Sequence, residues 1–293
     1  MKKRAFIYII LAGVLWGTSG IFVHYLEPYG FTSLQMTCIR GSVSFICMLI
    51  YNLIRSREMF KIKLKHLLLL AALGASIFGT AFCYFTSMQA TSISTAVVLM
   101  YTAPIYVMIY SVLFLGEKFS RLKLIAVASM LIGCCLVSGV IGGLKFDTVG
   151  ILIGVLSGIS YAANNILTKI SMKSGCAPES TTLYSFFFMA LIASSVAEPA
   201  KIITLTAQKP AFLIPMVIGL GVVTFVLPYF FYTSAMKYLP AGTASALGIV
   251  EPMAATFFSV IIFREALDIF SFSGIVLILI SVFMLSKAYA PEK

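Results

Sequence analysis

Charged residues are scarce in this sequence. Of its 293 residues, 11% are charged and 60% are hydrophobic, whereas soluble domains carry roughly 25% charged residues. A soluble fold of this size has too little interior to bury so much apolar surface, so lipid must surround much of the chain. The composition excludes a soluble enzyme, a receptor with a large ectodomain and a nucleic-acid-binding protein.

Groups that hold metals or carry out catalysis are also scarce. The sequence has only two histidines, His24 and His66, and its six cysteines show no metal-ligand spacing. Five of the cysteines fall in apolar runs, where we expect them to act as small packing residues. No GxxxxGK[ST] phosphate-binding motif occurs, so ATP hydrolysis on this chain is not expected. We therefore predict no catalytic residues, no metal and no cofactor.

Long apolar runs make up most of the chain. A membrane-spanning helix needs about 20 apolar residues, and its backbone groups must be satisfied within the segment, so each run is predicted to be a helix. Too few residues remain for a folded domain outside the membrane. We predict an all-α integral membrane protein with ten transmembrane helices. The runs lie at about 5–26, 31–54, 66–87, 92–115, 121–140, 149–171, 179–199, 211–235, 240–263 and 270–287.

The basic residues are distributed unevenly among the connections. If the N-terminus is cytoplasmic, 16 of the 21 Lys and Arg residues fall on the cytoplasmic side, four fall on the other side, and Arg40 lies within a run. Cytoplasmic loops of membrane proteins carry such an excess, which also accounts for the net charge of +11. We predict a multi-pass protein of the plasma or inner membrane with both termini in the cytoplasm.

The sequence contains an internal repeat. A shift of 148 residues aligns the third to fifth runs with the eighth to tenth without a gap, and a shift of 145 aligns the first run with the sixth. We predict two five-helix repeats, 1–140 and 149–287. Because five is odd, the two copies should have opposite orientations, an arrangement typical of transporters. The aligned pairs include Gly13 with Gly158, Tyr84 with Tyr232, Leu99 with Leu247, Pro104 with Pro252, and Glu117 with Glu265.

The repeats carry prolines at matching places. Pro104 and Pro252 each lie about eleven or twelve residues into a predicted helix. Proline removes a backbone hydrogen bond, and such helix breaks are tolerated at membrane depth where they are buried in protein or line a cavity. Matched breaks in two repeats indicate a binding site, and a simple packing kink is the alternative.

Five short stretches of the sequence form a recognisable set: Leu15-Trp16-Gly17-Thr18-Ser19, Thr102-Ala103-Pro104, Phe114-Leu115-Gly116-Glu117-Lys118, Glu251-Pro252 and Phe263-Arg264-Glu265. Together they resemble the EamA family of the drug/metabolite transporter superfamily. The resemblance covers nearly the whole chain and occurs twice. It implies ten helices, a substrate cavity formed mainly by helices 1, 3, 4, 6, 8 and 9, and helices 5 and 10 packed to one side. Family members carry amino acids, other metabolites and drugs, so the resemblance does not name the substrate.

Two charges lie deep within predicted spans. Glu251 lies roughly 16 Å along its helix, and a carboxylate at that depth is costly and usually functional. We predict that it binds substrate and couples transport, by taking up a proton or by pairing with a cationic group. A structural acceptor at the proline break is the alternative. Arg40 cannot deprotonate. Its helix is not expected to line the cavity, so we predict a structural charge, with an anionic substrate group as the alternative.

Aromatic and polar side chains complete the candidate site. Apolar faces with a few hydrogen-bonding groups suit a ligand pocket, although each residue alone could serve packing or anchor a helix end at the membrane surface. Asn165 stands out because a neutral amide in lipid needs a hydrogen-bond partner. The predicted substrate-binding residues are Trp16, Ser19, Phe82, Tyr84, Tyr101, Tyr161, Asn165, Tyr232 and Glu251.

These features predict a secondary-active or facilitative transporter that works by alternating access. Its expected cargo is a small organic solute, an amino acid or related metabolite, and the expected direction is efflux. An exporter of drugs or organic cations is the alternative, followed by an intramembrane lipid-handling protein. The expected partners are the solute and the lipid bilayer. Protons and a second copy of the chain stay open as further partners, and nucleic acid is not expected.

Overall fold

The protein is helical throughout the part that the structure describes. The computed structural model covers residues 2–55, 60, 62–116, 120–138, 147–264 and 268–288, and no β-strand occurs among them. The all-α fold class is confirmed. Some residues named above lie outside the described part of the chain: the aligned pair Glu117 and Glu265, and Lys118. The same holds for residues 139–146, at the junction of the two predicted repeats.

The helices follow the apolar runs of the sequence, and several runs are divided into two helices. A short 3₁₀ turn, Glu27–Tyr29, follows α2, and a π-helical segment, Val222–Val226, joins α11 to α12. The α-helices are α1 (Lys2–Gly17), α2 (Ser19–Leu26), α3 (Ser33–Arg55), α4 (Leu64–Ala90), α5 (Ile93–Met100), α6 (Ala103–Phe114), α7 (Arg121–Val137), α8 (Thr148–Lys173), α9 (Pro178–Ser194), α10 (Pro199–Thr206), α11 (Pro210–Gly221), α12 (Leu227–Met236), α13 (Ala241–Leu247), α14 (Val250–Phe263) and α15 (Ile269–Ala288).

Seven helical segments of the described chain are long and apolar enough to cross a membrane, and an eighth is added if the bent pair α9 and α10 counts as one span. The α7 helix has 17 residues, and α15 contributes a shorter apolar stretch, Ile269–Leu285. The structure thus confirms a multi-pass helical membrane protein, whereas the predicted number of ten spans is not confirmed. The seven segments are Lys3–Tyr29, Ser33–Arg55, Leu64–Ala90, Thr95–Phe114, Thr148–Lys173, Pro210–Met236 and Ala241–Phe263.

The bend between α9 and α10 explains why the predicted run at 179–199 does not continue as one straight helix. The axes of the two helices differ by 91°. Glu198 adopts the left-handed conformation, with φ 50°, and Pro199 opens α10. A non-glycine residue rarely adopts that conformation, and proline cannot continue a preceding helix because it lacks the N–H. The chain therefore turns sharply at this point.

Two helical runs are interrupted at places that correspond under the repeat. The first run breaks between α5 and α6, just before Pro104, and the second breaks between α13 and α14, just before Pro252. Both prolines lie in the first turn of the following helix, where a missing N–H removes no hydrogen bond. Both are buried. The matched prolines thus begin new helices in the protein interior.

Equivalent helices cross at equivalent residues. In the first crossing, a Cβ atom on Gly13 of α1 would lie 3.1 Å from Cβ of Val250 in α14. In the second, a Cβ atom on Gly158 of α8 would lie 2.7 Å from Oγ1 of Thr102, next to α6. The repeat aligns Gly13 with Gly158 and Thr102 with Val250. Glycine lets membrane helices approach closely, so the two crossings fix corresponding helix pairs around the centre of the protein.

The α7 and α15 helices pack along each other. A Cβ atom on Gly133 would lie 2.9 Å from the carbonyl oxygen of Gly274, and one on Gly274 would lie 2.6 Å from that of Gly133. Reciprocal glycines of this kind bring two helix backbones into close contact. These helices therefore support each other beside the helices that form the centre.

We expect Gly158→Ala to destabilise the protein by about 1–3 kcal/mol. The new Cβ atom would lie only 2.6 Å from the carbonyl oxygen of Leu99, so the α8 helix would have to move. Gly20→Ala is the matched control, because nothing lies within 4 Å of the added atom. Thermal unfolding of the purified variants checks this, and equal melting temperatures for the two would contradict the close approach.

Candidate functional site

Aromatic side chains from several helices meet at the centre of the protein. The ring of Trp16 in α1 lies 5.4 Å from that of Tyr229 and 5.5 Å from that of Tyr232, both in α12. Tyr101, in the break between α5 and α6, lies 6.3 Å from Tyr161 of α8. All five rings are buried. We call these five residues the aromatic cluster; it draws on helices of both predicted repeats.

Two neighbouring asparagines of α8 supply hydrogen bonds to the aromatic cluster. Nδ2 of Asn164 donates to the hydroxyl oxygen of Tyr229 at 3.0 Å. The hydroxyl of Tyr232 donates to Oδ1 of Asn165, whose Nδ2 donates to the carbonyl oxygen of Tyr161 at 2.6 Å. Both amides are buried. The amide groups therefore satisfy the buried tyrosine hydroxyls and fix the ring positions.

Glu251 lies beside the aromatic cluster, in the first turn of α14. The proline break places it there, because α14 begins one residue before it and Pro252 follows. A helix N-terminus favours a negative charge. Tyr101, at the corresponding break of the first repeat, lies close enough for its hydroxyl to interact with the carboxyl group of Glu251. The two helix breaks are thus joined by a polar contact.

Arg40 of α3 reaches the same region from the other side. Its guanidinium carbon lies 5.8 Å from the ring centroid of Phe225, in the π-helical segment. The charge also lies within electrostatic range of Glu251, Tyr229 and Tyr84. Its Nε is buried and has no hydrogen-bond partner among the described residues. The structural role predicted for Arg40 stays a prediction; the structure shows that α3 approaches the π-helical segment closely enough to place the side chain beside Phe225.

Arg40 and Glu251 do not form an ion pair with each other. Their charged atoms interact electrostatically, yet no contact within 4.0 Å joins them in the described structure. Both side chains lie among the surrounding helices. Neither is completely buried, because part of each residue's surface stays accessible. The two opposite charges therefore lie near each other among the central helices without direct contact.

The structure brings most of the predicted substrate residues together, and two lie elsewhere. Phe82 is 44% exposed and lines a separate outer pocket of about 320 Å³ with Gln89 and Lys201, among others. Phe82 and Tyr84 are two residues apart on α4, and therefore point to nearly opposite sides of the helix. Ser19 lies half-buried beyond the helix break at Thr18. The residues assembled near Glu251 are Trp16, Tyr84, Tyr101, Tyr161, Asn165 and Tyr232.

Several residues of this site were not predicted from the sequence as substrate-binding positions. Phe186 of α9 packs on Tyr229 with ring centroids 5.4 Å apart, and Phe225 packs on it at 5.0 Å. Asn164 was overlooked beside Asn165, although two consecutive amides in an apolar run are a visible signal. Nothing local marks Phe186 or Phe225, because phenylalanine is common in every span.

Comparison with known proteins agrees with this architecture. The sequence model of the EamA-like transporter family matches the chain twice, over residues 3–139 and 148–287. An uncharacterized transporter of Archaeoglobus fulgidus is 30% identical over 276 residues, which cover 94% of this chain and 93% of that protein. The uncharacterized transporter YwfM of Bacillus subtilis is 25% identical over 288 residues, covering 98% and 95%.

A protein of known crystal structure shares the fold, with a TM-score of 0.80, 16% sequence identity and 98% coverage of both chains. The curated relatives just described are transporters and not enzymes. The family match extends over both repeats and almost the whole chain. The chain therefore belongs to the EamA-like transporter family.

Proposed function

We propose that the protein carries a small organic solute, an amino acid or related metabolite, out of the cell by alternating access. The observation that carries the proposal is the enclosed polar site around Glu251, at the point where equivalent helices of the two repeats cross. Solute-binding sites of carriers with inverted repeats lie near mid-membrane at the repeat interface and use interrupted helices. The paired breaks before Pro104 and Pro252 supply that feature.

The proposed topology has ten spans in two inverted repeats, with both termini in the cytoplasm. Seven helical segments, or eight with the bent pair α9 and α10, qualify as spans by length. In this proposal α7 and α15, which pack on each other, are the two remaining spans. The matching crossings at Gly13 and Gly158 support two copies of one arrangement. The distribution of Lys and Arg sets the orientation. In this topology α8 and α12 both end at the cytoplasmic face.

A lysine closes the proposed cytoplasmic end of the site. The Lys169 ammonium group of α8 is buried and donates to the carbonyl oxygens of Met236, at 2.7 Å, and Leu239, at 2.5 Å. Met236 is the last residue of α12 and Leu239 follows it closely, so the ammonium group lies at the helix C-terminus, where a cation is favoured by the helix dipole. Lys173, one turn further along α8, donates to the carbonyl oxygen of Leu115 at 3.2 Å. We call the Lys169 contact the cytoplasmic latch.

The equivalent residue of the first repeat makes a different contact. The repeat aligns Lys169 with His24, and the ring of His24 packs on Phe263 of α14 with centroids 4.3 Å apart. The two ends of the carrier are therefore held by unlike contacts, although the repeats are alike in sequence. In alternating access one end of the carrier is closed while the other is open, so the contacts at the two ends must differ in any one conformation. The latch supports a conformation that is closed towards the cytoplasm.

Lys169→Met should open the cytoplasmic end more often. Hydrogen bonds to charged groups contribute about 1.5–3 kcal/mol, so we expect roughly tenfold or more exposure of groups behind the latch. Cys176 is a natural reporter, since it is buried and lines the same cavity of about 400 Å³ as Lys169. Its alkylation by an impermeant maleimide in inside-out vesicles, quantified by peptide mapping, measures the exposure.

Lys237→Met is the matched control for that experiment. Lys237 lines the same cavity but is exposed, so its loss removes a charge without breaking the latch. We expect near wild-type alkylation of Cys176 in this variant. Equal alkylation in the Lys169 and Lys237 variants would contradict the latch.

Glu251 is the proposed coupling residue. Removing a carboxylate from water favours proton uptake over ionisation in general, and this one is enclosed at the centre of the carrier. Glu251→Gln keeps the shape of the side chain but cannot exchange a proton. We expect this variant to fold and to lose the pH dependence of transport in proteoliposomes. A pH profile unchanged from wild type would rule out proton coupling through Glu251.

An exporter of hydrophobic organic cations is the second candidate. The observation that favours it is the aromatic cluster beside a carboxyl group, because cations bind well over aromatic faces. A second copy of the chain and protons remain proposed partners. The solute classes are separated by which compound drives saturable uptake into proteoliposomes containing the purified protein.

A further inference from the structure

We propose that Arg40 is a substrate-binding residue that holds an anionic group of the solute. The carried compound is then a zwitterion, with its carboxylate at Arg40 and its ammonium group at Glu251. This inference rests on the proposed function, since it names the charge pattern of the solute that occupies the same site. It also replaces the structural role that the sequence favoured for Arg40.

Arg40 has hydrogen-bonding capacity that the protein leaves unmet. A guanidinium group stays charged at any working pH and carries five N–H donors. Buried charges in proteins are paired or fully hydrogen-bonded because removing them from water is costly. Nε of Arg40 is buried, and no described residue accepts a hydrogen bond from it. The enclosed site therefore offers a positive donor group for an acceptor that the protein does not supply.

Arg40 and Glu251 lie near each other without direct contact. The two charges lie near enough to interact but do not approach within 4.0 Å. A direct ion pair would neutralise both groups and leave no role for a bound solute. An amino acid carries its ammonium and carboxylate groups on one carbon atom, so a single small molecule can lie between the two side chains. Its two charges would then face opposite charges of the protein.

Neighbouring aromatic residues position Arg40 for an anion. The face of Phe225 lies 5.8 Å from the guanidinium carbon and holds the group by a cation–π contact. The hydroxyl groups of Tyr84 and Tyr229 lie within electrostatic range of it. The Tyr229 hydroxyl oxygen accepts from Asn164, so its own hydrogen is free to be donated. A carboxylate bound at Arg40 would thus meet further donors.

The arrangement has a clear consequence for selectivity. A compound with an ammonium group alone would satisfy Glu251 and bring a like charge towards Arg40, which is unfavourable in an enclosed site. A zwitterion satisfies both. The two charges therefore favour amino acids and similar metabolites over hydrophobic organic cations, the second candidate for the proposed function.

Matched ligands test this directly. The probes are the standard amino acids, each with its α-amide and its decarboxylated amine, so that the side chain and the ammonium group are kept while the carboxylate is lost. Binding to the purified wild-type protein is measured by thermal shift and by equilibrium titration at pH 7. We expect at least one amino acid to bind roughly tenfold or more tightly than its amide and amine. If no amino acid binds, or if the amides and amines bind as tightly, the inference is overturned.

Variants of Arg40 separate a binding role from a structural one. Arg40→Met should abolish the preference for the carboxylate while leaving the weaker binding of the matched amine intact or improved. Arg40→Lys should restore part of the preference, because it keeps the charge and loses the planar guanidinium donors. If Arg40 served only as a counter-charge for Glu251, its removal would weaken the amine and the amino acid alike, and that result would overturn the inference.

A matched control and a transport measurement complete the design. Arg55→Met is the control, because Arg55 lies exposed at the end of the same helix and should leave ligand preference unchanged. Failure of this inference can be told from failure of the proposed function. If liposomes take up an amine or amide as readily as the amino acid, transport stands and the role of Arg40 falls. If no organic solute is moved at all, the proposed function falls.

Discussion

The structure depends on holding two opposite charges deep inside a lipid-embedded protein without letting them neutralise each other. Arg40 comes from α3 and Glu251 from the first turn of α14, and the two lie within electrostatic range of each other. Keeping an unpaired charge away from water is expensive. The helix N-terminus at Glu251, the face of Phe225 at Arg40 and the surrounding tyrosine hydroxyls reduce that cost.

The duplicated architecture places these groups at the centre. Each repeat contributes a helix that breaks before a proline, and each break is crossed by a glycine-bearing helix from the other repeat. Tyr101 at the first break lies beside Glu251 at the second, so the two breaks meet at the same place. A site built from both repeats is affected whenever the repeats move relative to each other. This is the physical link between the fold of the EamA-like transporter family and the proposed alternating access.

Composition and the long apolar runs were enough to predict the helical class and the membrane, because a 60% hydrophobic content cannot be buried in a soluble fold. The family was predicted from a resemblance that occurs in both repeats and rests on short stretches such as Glu251-Pro252. The surroundings of Arg40 could not be predicted, because they depend on how closely α3 approaches the π-helical segment, which no local pattern reveals. Phe82 was chosen by residue type, whereas the face of α4 decided its place beside the outer pocket. The bend at Glu198 likewise required a backbone conformation that the apolar run conceals.

The central claim is that one enclosed site binds a solute and is presented alternately to the two sides. Counterflow tests it most directly. Liposomes containing the purified protein are loaded with an unlabelled amino acid and diluted into a trace of the labelled compound. Alternating access predicts transient accumulation of label above its external concentration, with saturation by the internal solute. A simple equilibration of label, with a rate proportional to concentration and no overshoot, would contradict it.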